Sequence, residues 1–260
     1  MHSEPYLVQG GRTGVLLLHG FTGSPASVLP WAQFLADSGY SVVAPRLPGH
    51  GTHWRELNGT TWQDWYGEAE QALIELSARV DLIFLAGFSM GGALSVRLAE
   101  RHPELVTGLI LLNPALLDLH GIIRRASVLR YFKATLKPSA SDIARANPPI
   151  HGYAETPLTA LHSLSRLLQD IRPRMGRIDM PILLIRSIQD HVVPAVSSEV
   201  ILHEAKSTDK ELVLLENSYH VATLDYDAEI IHQESLAFIQ RLERAAKERT
   251  PESDLEISNE

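Results

Sequence analysis

The turn that decides the fold lies at residues 86–92 and reads AGFSMGG. The residues before it, 81–86, form a short apolar run rich in strand formers, and residues 90–101 carry apolar side chains at helical spacing. A serine between two glycines at such a strand-to-helix turn fits the G-x-S-x-G pattern of an exposed nucleophile. Gly87 and Gly91 are needed because side chains there would block the close packing of strand and helix. The sequence therefore predicts Ser89 as a nucleophile at a helix N-terminus, where backbone N–H groups favour developing negative charge.

Outward from this turn, apolar strands alternate with helices in both directions. Apolar runs of four or five residues predict strands at 14–18, 41–44, 109–112, 182–186 and 211–215, and the run at 14–18 is typical of a strand buried on both faces. Periodic segments predict helices at about 25–39, 61–78, 157–171, 195–204 and 228–245. This order predicts an α/β fold with a mostly parallel sheet and helices on both of its faces.

The alternation is interrupted between residues 114 and 156, where we expect no strand. An irregular insertion of this length in an alternating chain is usually functional or disordered, and it divides the predicted core into residues 1–113 and 157–246. Residues 247–260 are predicted to be a charged, disordered tail.

The insertion carries a basic, apolar stretch between residues 121 and 137. It contains no acid, and its basic residues are Arg124, Arg125, Arg130, Lys133 and Lys137. One interpretation is an amphipathic segment that makes weak contact with an anionic membrane surface. The other, which we favour, is a cap helix whose apolar side chains cover an acyl pocket while its bases face water.

Composition argues against several classes of function. The 260-residue chain is 45% hydrophobic and has a net charge of −8, which argues against a nucleic-acid partner. The absence of cysteine excludes disulfides and thiolate chemistry, and the twelve histidines show no metal-ligand spacing, so we expect no metal or cofactor. No apolar run approaches the roughly 20 residues of a membrane span, and residues 1–11 do not resemble a signal peptide. We therefore expect a cytoplasmic protein; the sequence does not indicate its oligomeric state.

Two later loops supply partners for the serine hydroxyl. Asp190 follows the strand at 182–186, and His220 follows the strand at 211–215. Functional groups gather at the carboxyl ends of parallel strands, and a serine needs a histidine base held by a carboxylate. Alone, the aspartate is an ordinary turn residue and the histidine an ordinary surface or packing residue. Their order after Ser89 is the one expected for a hydrolase triad, which is what we predict.

Other residues are predicted to complete the site. The backbone N–H groups of Met90 and Phe21 are expected to form an oxyanion hole, and the Phe21 side chain either lines an acyl pocket or packs in the core. His19, at an early strand end, and Val192, beside the predicted acid, are candidate substrate-binding residues.

Several motifs give the chain a family resemblance. They read HGFTGSP at 19–25, PGHG at 48–51, GFSMGG at 87–92, DHVVP at 190–194 and SYHVATLDYD at 218–227. Over residues 15–238 the chain resembles the α/β-hydrolase superfamily, and within it bacterial monoacylglycerol lipases and small carboxylesterases. The resemblance implies Ser89, Asp190 and His220 as the triad and a cap over the site. Those lipases use a cap acid to meet the glycerol hydroxyls, and the resemblance implies Glu155, in the insertion 114–156, as a third candidate substrate-binding residue.

We therefore expect a serine hydrolase that cleaves carboxylic esters of medium- to long-chain acyl groups, monoacylglycerols above all, through an acyl-Ser89 intermediate. The expected partner is a small acyl ester. The alternatives are other reactions of the same triad, namely C–C bond hydrolysis, thioester hydrolysis or acyl transfer. A further alternative is a non-catalytic ligand receptor on the same fold.

Overall fold

The computed structural model describes residues 4–117, 122–137, 142–148 and 152–249. In chain order its strands are β1 (Tyr6–Val8), β2 (Thr13–Leu18), β3 (Ser41–Ala44), β4 (Leu82–Phe88), β5 (Gly108–Leu112), β6 (Thr135–Leu136), β7 (Thr156–Pro157), β8 (Ile182–Ser187) and β9 (Lys210–Leu215). Its α-helices are α1 (Leu29–Asp37), α2 (Trp54–Asn58), α3 (Trp62–Ser77), α4 (Met90–Arg101), α5 (Ile122–Leu129), α6 (Leu158–Ile171), α7 (Val196–Glu204) and α8 (Ala228–Arg249).

Seven of these strands form one sheet in the order β1-β3-β2-β4-β5-β8-β9. Only the edge strand β1 pairs antiparallel, with β3, so the prediction of a mostly parallel sheet is confirmed. The strand ends coincide: Leu18 at the end of β2 pairs with Gly87, and Leu112 at the end of β5 pairs with Phe88. This register brings the loops that follow β2, β4 and β5 to the same edge of the sheet.

Apolar side chains are buried on both faces of this sheet. Leu16, Leu18 and Leu85 point into a core formed with α3, α4, α6 and α7. Val15 and Leu17 point into a second core, formed with α1 and α8. Alternate residues of one strand thus enter opposite cores, which is why the strands read as continuous apolar runs.

Several short elements differ from the sequence-based expectations. The helix predicted from residue 25 is a 3-10 turn at Pro25–Ser27 followed by α1, with Pro30 in the first helical turn, where no N–H is required. The strand β1 and the helix α2 were not predicted, because three and five residues are too few to show a period. The last helix extends to Arg249, beyond the predicted end, and residues 250–260 of the predicted tail lie outside the described residues.

The expectation of no strand between residues 114 and 156 is wrong. The strands β6 and β7 pair antiparallel as a two-residue ladder, and the Leu158 N–H continues the pairing to the Ala134 carbonyl at 2.9 Å. The residues between the described parts of this segment, 118–121, 138–141 and 149–151, lie outside the description. No helix in the described part of the chain is long and apolar enough to cross a membrane.

Candidate active site

Ser89 occupies the sharp turn between β4 and α4. Its backbone has φ 56° and ψ −116°, a strained conformation for a residue with a side chain. A Cβ on Gly91 would collide with the carbonyl of Leu18, and one on Gly87 would collide with the carbonyl of Gly91. The Ser89 N–H donates to the Leu112 carbonyl at 3.0 Å, which ties the turn to the end of β5. The two glycines of the motif are therefore required by close backbone approach.

The loops after β8 and β9 bring Asp190 and His220 to this serine. His220 Nε2 lies 3.0 Å from Ser89 Oγ, and His220 Nδ1 lies 2.8 Å from Asp190 Oδ2. The other carboxylate oxygen of Asp190 accepts the backbone N–H groups of Val192 and Val193, both at 2.8 Å. A carboxylate only accepts, so His220 donates from Nδ1 and leaves Nε2 free to accept the serine proton. The three predicted residues are thus joined in one path from hydroxyl to carboxylate.

Asn113, a residue that the sequence analysis did not single out, holds the base loop. Its Nδ2 donates to the His220 carbonyl at 2.8 Å and to Ser187 Oγ at 3.0 Å, and its Oδ1 accepts the Ser187 N–H at 2.8 Å. Asn113 has a φ of 44°, a left-handed conformation that asparagine tolerates better than most side chains. Asn113 directly follows β5, just as the loops of Asp190 and His220 follow β8 and β9. Its position at a strand end could therefore have identified it from the sequence.

The loop after β2 approaches the serine from the opposite side. A Cβ on Gly20 would lie 3.1 Å from the Phe88 ring and 3.4 Å from Ser89 Cβ, so this loop passes close to the nucleophile. Among the backbone hydrogen bonds of the described residues, none uses the N–H of Phe21 or of Met90. The N–H groups of Phe21 and Met90 stay the predicted oxyanion donors. The Phe21 ring packs on Trp65, with centroids 5.8 Å apart.

His19 is packed beneath this loop. It is fully buried, with Nδ1 3.0 Å from the Gly20 carbonyl, and its Nε2 accepts the Leu47 N–H at 3.2 Å. His50 packs against it with ring centroids 5.0 Å apart. Burial lowers the pKa of His19 to about 4 and lowers the pKa of His50 well below its ordinary value, so both rings are neutral at pH 7. The observed role of His19 is to hold two loops together.

Acidification is expected to destabilise the fold through His19. The unfolded chain binds a proton at this histidine below pH 6.5 while the folded chain does not, so stability is lost as the pH falls from 6.5 toward 4. The contribution is about 3 kcal/mol at pH 4, at about 1.4 kcal/mol per unit of pKa shift. Urea unfolding of wild type and of His19→Asn at pH 7.5 and 4.5 measures it. The variant should lose less stability between the two pH values; an equal loss in both proteins would contradict the assignment.

The remaining predicted residues are Val192 and Glu155. Val192 is partly exposed and holds Asp190 through its backbone N–H. Glu155 precedes β7, and its Oε1 accepts from Thr135 Oγ1 of β6 at 3.4 Å, so its observed contact is within the two-stranded ladder. Substrate contacts of His19, Glu155 and Val192 stay predictions.

The parallel sheet, the strained serine turn and the serine–histidine–aspartate relay are those of an α/β-hydrolase. The chain belongs to the hydrolase family described as serine aminopeptidase, S33, whose profile matches residues 11–227.

Relatives of known activity are similar over nearly the whole chain. A thermostable monoacylglycerol lipase of Bacillus sp. (strain H-257) is 40% identical over 239 residues, 92% of this chain and 95% of the relative. A carboxylesterase of Bacillus subtilis (strain 168) is 29% identical over 241 residues, 92% of this chain and 97% of the relative. A solved structure from work on LipS and LipT, two metagenome-derived lipolytic enzymes, is 40% identical with a TM-score of 0.89, covering 92% of this chain and 98% of that one.

Proposed function

We propose that this chain is a serine hydrolase that cleaves carboxylic esters of medium- to long-chain acyl groups, with monoacylglycerols as its main substrates. The observation that carries the proposal is the hydrogen-bonded path from Ser89 through His220 to Asp190. The names of the relatives support an ester as the bond that is cleaved, although the family description names an aminopeptidase. A serine triad cleaves an ester bond and a peptide bond by the same acyl transfer to serine. Which of the two bonds this chain cleaves therefore depends on the groups that surround the triad.

The first half of the reaction acylates the serine. Ser89 Oγ attacks the ester carbonyl carbon while His220 Nε2 takes the hydroxyl proton. The carbonyl oxygen becomes an oxyanion, which accepts the N–H groups of Phe21 and Met90. When the tetrahedral intermediate collapses, the bond to the leaving oxygen breaks and His220 returns its proton to that oxygen. The alcohol departs and the acyl group remains on Ser89.

The second half releases the acid. His220 Nε2 takes a proton from water, and the resulting hydroxide attacks the acyl carbon to form a second oxyanion in the same hole. Collapse breaks the bond to Ser89 Oγ, which regains its proton from His220. Asp190 keeps the imidazole in the required tautomer and stabilises the imidazolium in both halves.

Apolar side chains from the segment 114–156, which we propose as the cap, support an acyl substrate. Leu129 at the end of α5 and Leu136 in β6 pack against the same core cluster as Phe21 of the oxyanion loop and Leu117 after β5. An acyl chain bound between these parts of the chain would meet apolar side chains from both, and such a lining suits a hydrocarbon chain better than a peptide or a sugar.

A series of esters of increasing acyl length tests the proposed substrate class. Because each buried methylene contributes about 0.8 kcal/mol, kcat/KM should rise about fourfold per methylene until the pocket is full. Monoacylglycerols should be cleaved with higher kcat/KM than acyl-CoA thioesters or aminoacyl anilides of matched length. A flat length profile, or a preference for the anilide, would reject the acyl ester as substrate.

The outer surface of the proposed cap supports contact with a lipid surface. Val128, Tyr131 and Phe132 are 62%, 73% and 79% exposed. Arg125 and Lys133 are exposed beside them. Other apolar residues of this segment, such as Ala126, face the core. Both sequence interpretations are thus supported by different faces of one segment, and we propose that the exposed face contacts the anionic surface of a substrate aggregate or membrane.

Replacing Phe132 with serine is expected to weaken binding to vesicles that contain anionic lipid by about tenfold or more, since burying such a ring contributes about 1.5–3 kcal/mol. Co-sedimentation at two salt concentrations measures the binding, and higher salt should weaken it further because it screens the basic residues. Ile74→Ser, at an exposed apolar position on α3, is the matched control and should bind as wild type does. Equal binding by both variants would contradict the assignment of this face.

A further inference from the structure

Asp142, in the proposed cap, contacts both loops that carry the acid and the base. Its Oδ2 accepts the backbone N–H of His220 at 3.1 Å and the backbone N–H of His191 at 3.1 Å. Its Oδ1 lies 2.8 Å from His191 Nδ1. Its own carbonyl accepts the N–H of Val221 at 3.0 Å. The Asp142 side chain is only 13% exposed, so these are contacts of a largely buried carboxylate.

These contacts fix the backbone of the base from outside its own loop. The His220 N–H is held by Asp142, and the His220 carbonyl is held by Asn113 at the end of β5. The ring of His220 has one correct direction, because Nδ1 must face Asp190 while Nε2 faces Ser89. A displacement of about 1 Å in such a geometry can cost 100-fold in rate. The hydrogen bond that the His220 N–H donates to the Asp142 carboxylate therefore holds the base where a small displacement would be costly in rate.

A second carboxylate joins the same two segments, but it lies beside the base loop and accepts N–H groups of the cap segment. Asp225, which follows the base loop and is fully buried, accepts the N–H groups of Ala144 and Arg145 at 2.7 and 3.0 Å. It also accepts the N–H of Tyr219 at 3.0 Å. The segment 142–145 and the loop around His220 thus hold each other by charged hydrogen bonds, which are stronger than neutral ones.

We propose that Asp142 is a positioning residue for the base: by accepting the His220 and His191 N–H groups it sets the approach of the imidazole to Ser89 Oγ. This inference rests on the proposed function, because it assumes that Ser89 and His220 carry the reaction. It assigns to the cap a part in the chemistry itself, in addition to covering the acyl chain.

The test uses three variants of the full chain, compared per folded molecule after circular dichroism and thermal melting. Asp142→Ala removes the acceptor and should lower kcat about 10- to 100-fold with KM changed less than threefold. Asp142→Asn keeps one oxygen that accepts both N–H groups, so it should restore most of the rate. His191→Ala removes only the ring beside Oδ1 and should stay within a few-fold of wild type.

Two readouts separate positioning from a purely structural role. The rate constant for labelling of Ser89 by a fluorophosphonate should fall with kcat in Asp142→Ala, because it reports activation of the nucleophile without an alcohol leaving group. The downfield NMR resonance of the His220 Nδ1 proton should weaken or broaden in the same variant. A merely structural role would lower the melting temperature and leave both readouts unchanged in the folded protein.

Several outcomes would overturn the inference. The first is a labelling rate constant of folded Asp142→Ala equal to that of wild type. The others are an effect on KM alone, or a kcat of Asp142→Asn as low as that of Asp142→Ala. If Asp142→Ala does not fold, Asp142→Glu keeps the charge but displaces the acceptor; unchanged labelling of that variant would equally overturn it. Ser89→Ala separates the two proposals: if that variant keeps turnover, the proposed function fails, whereas an inactive Ser89→Ala beside a normal Asp142→Ala rejects only this inference.

Discussion

Replacing Ser89 with alanine is expected to lower kcat for ester hydrolysis by about 10⁶-fold, the scale seen when the nucleophile of a triad is removed. The reason is that the acyl group of the substrate is transferred to Ser89 Oγ, so removing this oxygen removes the nucleophile. The fold should persist, because alanine keeps the Cβ that the turn already accommodates and loses only the hydrogen bond to His220, a change of about 1 kcal/mol. Turnover of a p-nitrophenyl ester and binding of a non-hydrolysable substrate analogue measure the two expectations.

Ser95→Ala is a matched control for this variant. Ser95 lies in α4, the helix that begins directly after Ser89, and is fully buried. Its hydroxyl donates to the Gly91 carbonyl at 2.9 Å, so its replacement also removes one buried serine hydroxyl. It should keep kcat within a few-fold of wild type. If Ser89→Ala hydrolysed esters at a rate close to that of Ser95→Ala, the acyl-serine mechanism would be rejected.

Asp190→Asn is expected to lower kcat by about 10⁴-fold while leaving the fold in place. The amide oxygen must face the N–H groups of Val192 and Val193, which leaves the NH₂ group facing His220 Nδ1. A donor at that point forces the proton of the imidazole onto Nε2, so the ring donates toward Ser89 and can no longer take its proton. Steady-state kinetics across pH, with substrate binding measured separately, test this expectation.

Asp209→Asn provides the comparison for the acid. Asp209 is paired with Arg241 at 2.7 Å and lies at the opposite end of β9 from the base loop, so its replacement changes the same functional group away from the relay. It should leave kcat unaltered. A loss of only a few-fold in Asp190→Asn would show that the aspartate is not required to set the tautomer.

The central elements of the fold could be predicted because the sequence marks them locally. Strands buried on both faces are continuous apolar runs, and the strained turn at Ser89 needs glycines on either side. The elements that were missed, such as β1 and β6, contain three and two residues and take their shape from the partner strand. Their own side chains carry no periodic signal.

The relay could be predicted because parallel strands end at one edge of the sheet, so chain order alone brings Asp190 and His220 to Ser89. The same reasoning could have reached Asn113, which also follows a buried strand. It could not have reached Asp142, which lies 78 residues from His220 and in a segment without regular structure. Its partners depend on how the proposed cap meets the core, which no local pattern encodes.

The sequence distance across the relay bears on how the chain acquires its activity. Ser89 and His220 are separated by 131 positions, and Asn113 reaches His220 across 107. Contacts of this span form slowly during folding, since the intervening chain must first lose its freedom, whereas helices form within microseconds. During refolding, the circular dichroism signal of the helices should therefore return early. Turnover of substrate should return only when the contacts of Ser89 and Asn113 with His220 have formed. We therefore expect molecules in which these contacts have not yet formed to be inactive.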